Sequence, residues 1–443
     1  MNSLVSFSLI AVASAFTGSQ LEKLPNVQAP LKNEACPSVS ILTGECQTSN
    51  PALNTVTISQ NSSQDFIPTY APRQQPAPAN SPWTFLPECY TSENTTTPYC
   101  VFSHHGFAGG RGISIVTTQN DAIRILHKPA FAQPAVLEGV NNYENPPYTE
   151  HYFPGKGRGL VANKTLQRGD QIFASTPILI MDPGAYKLAE EDRLKLAHSA
   201  VHNLPEARKP AFWNLLDHFK GDPVDDRINT NAFDVGINGK SIHVVFPEIS
   251  NLNHDCRPNA AYFFDEETLT HYVHATQPIH PGEEITITYI MNTMTRAQRV
   301  GALQRNWGFQ CGCSTCRANP SFTKESDARL AQIVELEKKM DDWSLDSEAT
   351  PQMGEALIDL MKQERLDGSL GVAYRLAAMA YSAIGDRWNA IKHARMSVEY
   401  LILDRGFDAD EVWAMKQLAE EPEMQWSWKK RVDVRGGCGC GRH

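Results

Sequence analysis

Beyond its first fifteen residues, this 443-residue chain has no apolar run near the roughly 20 residues that cross a bilayer, so no membrane span is expected. Clustered Lys and Arg are missing too. Without such a block little displaces the counterions of a phosphate backbone, and direct nucleic-acid binding is not expected. Net charge is -10, which suits a basic partner instead. Hydrophobic residues at 41% and charged residues at 20% exclude wholesale disorder. The length leaves room for two or three domains.

The opening segment from Met1 to Ala15 is apolar but too short to span a membrane, and no positive charge precedes it. With Ala13-Ser14-Ala15 as a small-residue cleavage site, residues 1–16 read as a signal peptide, the alternative being a buried N-terminal segment. Residues 17–149 are expected to be loop-rich, with turn-forming clusters to about residue 98, a turn feeding a strand over 109–118 and a Pro/Asn-rich link at 132–150. This part holds Cys36, Cys46, Cys89 and Cys100, and glycosylation sequons begin at Asn61 and Asn94, with a third at Asn163. Four such cysteines fit two disulfides, with three pairings open, and favour the secretory pathway or the extracellular space over cytoplasm or nucleus.

From Tyr152 short strand candidates accumulate: Gly159–Ala162, Asp170–Ala174, Ile242–Phe246, Ala260–Phe264, Leu269–Val273 and Glu284–Tyr289. The stretch from Glu190 to Phe219 has a helical pattern. Many short strands with one helical insert suggest a folded β assembly and not a doubly wound sheet. Residues 323–443 are helical in pattern. Within them Tyr374 to Leu401 reads as two helices joined at Gly385-Asp386, which resembles a tetratricopeptide-like hairpin.

Four segments follow in a set order: Gly155-Lys-Gly-Arg-Gly-Leu-Val-Ala, Asn251-Leu-Asn-His-Asp-Cys-Arg-Pro-Asn-Ala, Pro281-Gly-Glu-Glu-Ile-Thr-Ile-Thr-Tyr and Trp307-Gly-Phe-Gln-Cys-Gly-Cys-Ser-Thr-Cys. In order and content they resemble the SET domain family with its cysteine-rich post-SET segment, from Glu150 to Cys316. The resemblance implies an α+β chain: a SET-type β-clip fold of short strands with a helical insertion, followed by a C-terminal all-α, tetratricopeptide-like region. The implied divisions are a SET domain at 150–300, a post-SET zinc segment at 301–322 and a helical domain at 323–443. The implied activity is methyl transfer from S-adenosyl-L-methionine to a lysine of a protein or peptide.

The residues suit that chemistry. Gly157 and Gly159 let a ligand approach the backbone closely, because no Cβ intervenes. Alone they are equally a plain turn, as the echo at Gly110-Arg111-Gly112 warns. By resemblance, Lys156, Gly157, Arg158, Gly159, Asn253, His254, Tyr289 and Phe309 contact the cofactor, with Tyr289 as the catalytic residue. A target lysine must be neutral to attack, against an ordinary pKa of about 10.4. A tyrosine hydroxyl orients the amine without adding a competing nucleophile. Phe246 and Tyr262 are candidate walls of the lysine channel or ordinary core aromatics. Cys311, Cys313 and Cys316 are too close together for every pair to form an unstrained disulfide, but they can wrap one tetrahedral Zn²⁺. The resemblance supplies Cys256 as fourth ligand, the alternative being a buried apolar filler. Cys438 and Cys440 support no assignment.

A related branch combines SET with a zinc-binding MYND module and often a helical tail. Here 160–250 contain no cysteine, so the tail is carried over but that module is not. The alternative to an active enzyme is an inactive SET-fold protein serving as a secreted or partner-binding module.

Overall fold

The computed structural model describes residues 74–93 and 97–432. The signal-like segment, Cys36, Cys46, Cys438, Cys440 and the sequon asparagines Asn61 and Asn94 lie outside the described residues.

Strands β1 (Glu88–Tyr90), β2 (Tyr99–His104) and β3 (Ile113–Thr118) form an antiparallel meander, with the single turn α1 (Phe107–Gly110) before β3. Cys89 and Cys100 face each other across β1 and β2 and are disulfide-bonded, one of the pairings left open by the sequence. Helices α2 (Gln119–Leu126) and α3 (Pro129–Ala132) lead to β4 (Tyr148–Phe153), β5 (Gly157–Ala162), β6 (Gln171–Ser175) and β7 (Leu179–Met181). An insertion of α4 (Glu190–His202), α5 (Lys209–Trp213) and α6 (Pro223–Asn231) precedes β8 (Phe233–Ile237) and β9 (Lys240–Val245). The two-residue β10 (Asn253–His254), β11 (Ala260–Asp265), β12 (Thr270–Ala275) and β13 (Glu284–Ile287) complete the strands.

These strands make three small sheets, in the orders β1-β2-β3-β7-β9-β8, β10-β13-β5-β4 and β11-β12-β6. Pairing is antiparallel except for β3 with β7 and β10 with β13. Apolar residues from all three sheets meet in one core, which includes Phe102 and Ile115 as well as Leu160, Phe173, Val244, Val273 and Ile285. The first sheet therefore crosses the division expected at residue 150. Strands β2 and β3 are buried nearly throughout because they lie inside a six-stranded sheet and not in a loop-rich leader.

The insertion is not one helix. Pro205 cannot continue the helical hydrogen-bond ladder, so α4 ends at His202, and Pro210 sits in the first turn of α5. Helix α7 (Arg296–Trp307) begins at a capping box between Thr295 and Gln298 and stops at Gly308, whose φ of 67° is left-handed. A Cβ at Gly308 would collide with the His218 ring, so this glycine also lets the insertion close onto the end of α7.

The tail contains α8 (Pro320–Met340), α9 (Pro351–Gln363), α10 (Leu370–Ala383), α11 (Arg387–Arg405) and α12 (Asp410–Glu420). Helices α10 and α11 are joined at Gly385 (φ 78°), as the periodicity implies, and buried Ala378 of α10 packs in one cluster with Ala390 and Ala394 of α11. The segment after α11 reaches the strands: Phe407 stands edge-on to Phe263 and His274 of β11 and β12.

One core residue is costly. His271 is 0% exposed, enclosed by Phe233, Phe246 and Tyr262, and neither ring nitrogen has a hydrogen-bond partner. Burial pushes its pKa down to about 3. The folded imidazole stays neutral while the unfolded one gains a proton below about 6.5, so its contribution to stability falls as pH drops from 6.5 toward 3. His271→Phe is expected to preserve or raise the melting temperature at pH 7 and to flatten its decline between pH 6.5 and 4. A decline as steep as that of the unmodified chain would place the acid sensitivity elsewhere.

Candidate functional site

A cavity of about 690 Å³ opens where the β4–β5 turn, the insertion, β10 and the segment after α7 converge. On one side Gly155 and Gly157, both at positive φ, fold Lys156 and Arg158 around the turn. Arg158 donates to the backbone oxygen of Asn214, tying this turn to the insertion across the cavity. Gly159 faces the Asn253 amide so closely that a Cβ would collide with it, which is the packing reason for that glycine.

Asn253 and His254 are held in line by parallel pairing of β10 with Thr286 and Ile287. Asn253 Nδ2 donates to Glu284 Oε1 at 2.9 Å, and Lys156 Nζ lies 2.6 Å from Glu284 Oε2. One carboxylate thus fixes two residues expected to contact a ligand. Asn259 reinforces the same strand, donating to the Glu284 backbone oxygen at 2.9 Å and accepting from the Thr286 amide at 2.8 Å.

His254 lines the cavity, but both ring nitrogens are engaged within the protein. Nδ1 accepts from the Tyr289 amide at 3.1 Å, which leaves Nε2 to donate toward Cys256 Sγ at 3.4 Å. Burial pushes its pKa down to about 4, so this tautomer is neutral. Tyr289 packs between the rings of His254 and Trp307, and its hydroxyl donates to the Leu252 oxygen at 2.6 Å. Burial, with Glu284 and Tyr262 adding to it, pushes the hydroxyl above its ordinary range and keeps it protonated. Phe309 lines the cavity opposite.

Of the two candidate channel walls, Tyr262 lines the cavity and Phe246 does not. Phe246 is fully buried and continues the alternation that places Ile242 and Val244 in the core. Phe233, at the start of β8, stands at the cavity in its place. Of its two readings, Phe246 takes that of a core aromatic; Trp307 opens the fourth motif but carries no role assigned from it, and no motif marks Phe233 or His218. Burial, reinforced by Asp404 and Asp234, pushes the Tyr262 hydroxyl up to about 12.

Beneath the cavity Cys256, Cys311, Cys313 and Cys316 gather with all four sulfurs within 4.8 Å of one another. Cys256 Sγ is 3.5 Å from Cys316 Sγ and 4.0 Å from Cys311 Sγ. Four thiolates around one Zn²⁺ at about 2.3 Å would stand about 3.8 Å apart, so the set fits a tetrahedral metal. Arg299, buried alongside, carries a charge that suits thiolates: burial opposes it, but the neighbouring Cys256 and Cys316 sulfurs outweigh that and raise its pKa.

Residues 157–290 match the SET domain family. The chain is 26% identical over 289 residues to a histone-lysine N-methyltransferase, set5, of Schizosaccharomyces pombe, covering 64% of this chain and 86% of that one. It is 36% identical over 97 residues to a SET and MYND domain-containing protein of Dictyostelium discoideum, covering 20% of this chain and 28% of that one. Identity is also 36% over 86 residues to the histone-lysine N-methyltransferase SMYD3 of Homo sapiens, covering 19% and 18%. The chain therefore spans most of the first relative but under a third of the other two. The short-stranded sheets around the cleft, with the cysteine set beside it, are a SET-type fold followed by a helical region. Within this chain it is residues 157–290 that are similar to the SET domain.

If the four sulfurs share a metal, a strong chelator should lower the melting temperature of the full chain. Cys256→Ala should melt lower at the outset and respond little to the chelator. A chelator-insensitive unmodified chain would contradict metal binding.

Proposed function

We propose that the chain is an S-adenosylmethionine-dependent protein-lysine N-methyltransferase, with cofactor and target lysine meeting in the 690 Å³ cavity. The observation that carries this reading is convergence. Lys156, Arg158, Asn253, Tyr289 and Phe309, drawn from distant segments, line one cavity, and Glu284 locks two of them. Relatives named as lysine methyltransferases support it.

Bound S-adenosylmethionine supplies a methyl group on a positively charged sulfur. The Lys156–Arg158 turn and Asn253 would hold its amino-acid portion, and Trp307 and Phe309 offer apolar ring surface for the adenine. Phe233 and Tyr262 wall the cavity, and withdrawal of the target lysine from water there would favour the neutral amine required for attack. Tyr289, fixed through Leu252, orients the amine while its own hydroxyl stays protonated. The four-cysteine set would hold Zn²⁺ as a structural ion, tying the segment after α7 to the β10 loop.

The Cys89–Cys100 disulfide supports a further proposal, entry into the secretory pathway, with cytoplasm or nucleus as the alternative. The disulfide's redox state in the protein isolated from its native compartment discriminates the two.

Incubation with a lysine peptide library, read by mass spectrometry, tests the activity. Tyr289→Phe is expected to retain cofactor affinity while transfer falls about 100-fold, the scale of a misoriented reacting pair. Equal loss of affinity and transfer would make Tyr289 a structural residue. Transfer by the unmodified chain should rise with pH between about 7 and 9 as the lysine loses its proton.

A further inference from the structure

The C-terminal end of α9 touches both loops that carry the four cysteines. Glu364, which caps its C-terminus, is buried. Its Oε2 lies 2.6 Å from Arg257 Nη2 and accepts from Ser326 Oγ at 2.7 Å, while Oε1 lies 2.6 Å from Arg329 Nε. Arg257 directly follows Cys256, and its Nη1 donates back to the Cys256 oxygen at 2.7 Å. The Arg257–Glu364 side chains are 1% and 2% exposed. Burial works against the Glu364 charge, but the bonds from Arg257, Ser326 and Arg329 outweigh it and hold the carboxyl below its usual range.

The next residue reaches the other loop. Arg365 Nη2 donates to Ser314 Oγ at 3.1 Å, and Ser314 lies between Cys313 and Cys316. Arg365 has a φ of 55°. It occupies the left-handed position that closes a Schellman turn: Leu366 N donates to the Met361 oxygen at 2.9 Å and Arg365 N to the Lys362 oxygen at 3.0 Å. Glycine is the unstrained residue there, so an arginine sits against its backbone preference. Local helix stability does not account for that choice, whereas the side chain it provides reaches Ser314.

We propose that the end of α9 is a clamp on the two cysteine-bearing loops, with Glu364 and Arg365 as positioning residues for the metal set and, through Cys256 and His254, for the cavity above it. In its metal aspect this rests on the zinc reading. The helical tail is then part of the site, because the loop that supplies Cys256 is fixed from α9 as well as from β13.

The experiment is site-resolved alkylation of Cys256, Cys311, Cys313 and Cys316 in the full chain, read by mass spectrometry, with zinc content and melting temperature measured in parallel. Arg365→Gly relieves the backbone and breaks the Ser314 contact. Its melting temperature should stay level or rise while alkylation of Cys313 and Cys316 accelerates about three-fold, the scale of one exposed hydrogen bond. Arg365→Lys, which retains a donor, should remain near the unmodified rate. Glu364→Gln should accelerate Cys256 alkylation about ten-fold or more, since it breaks a buried charge-assisted contact. Unchanged rates in both Arg365→Gly and Glu364→Gln would overturn the clamp. Absence of zinc from the unmodified chain would overturn the metal reading alone, and the alkylation comparison would still decide the clamp.

Discussion

The backbone of Asn253 and His254 runs parallel to Thr286 and Ile287, and a two-residue parallel bridge has little stability of its own. Three sets of contacts hold it. Asn259 donates and accepts along β13, Glu284 takes the Asn253 amide, and the Tyr289 amide bonds His254 Nδ1. Each is a buried or half-buried polar contact that loses most when one partner is removed. The cavity exists because this crossing places two sequence-distant motifs side by side.

From that crossing a chain of contacts runs downward. His254 links Tyr289 above to Cys256 below, so the catalytic candidate and the metal set share one neutral imidazole. Cys256 in turn joins the segment after α7, and Trp307 at the end of that helix and Phe309 just beyond it line the cavity. The cavity above and the sulfur set below are therefore linked through very few atoms. Such economy makes the site sensitive to changes that touch no ligand.

Much of this was legible in the sequence, for identifiable reasons. The strand candidates coincide with β5, β6, β9, β11 and β12 to within a few residues, and the tail is helical as its pattern implies, with the hairpin at α10 and α11. The four motifs led to most of the residues that line the cavity and to the whole cysteine set, because their chemistry demands those residue types. What escaped depends on distance. Residues 109–118 read as a turn feeding a strand, which β3 matches, but nothing local reveals that β3 pairs with β7 and so joins the sheets that follow residue 150. Phe246 flanks a motif, which left channel wall and core aromatic both open; its packing with Ile242 and Val244 makes it core. Glu364 lies 107 residues from Arg257, and no local pattern connects them.

The most direct test of the central claim is calorimetric titration of the full chain, zinc-replete, with S-adenosylmethionine, using Asn253→Ala as the control. The account predicts one-to-one binding that Asn253→Ala abolishes without unfolding the chain. A well-folded chain that releases no heat of binding, or an Asn253→Ala variant that binds equally well, would contradict it.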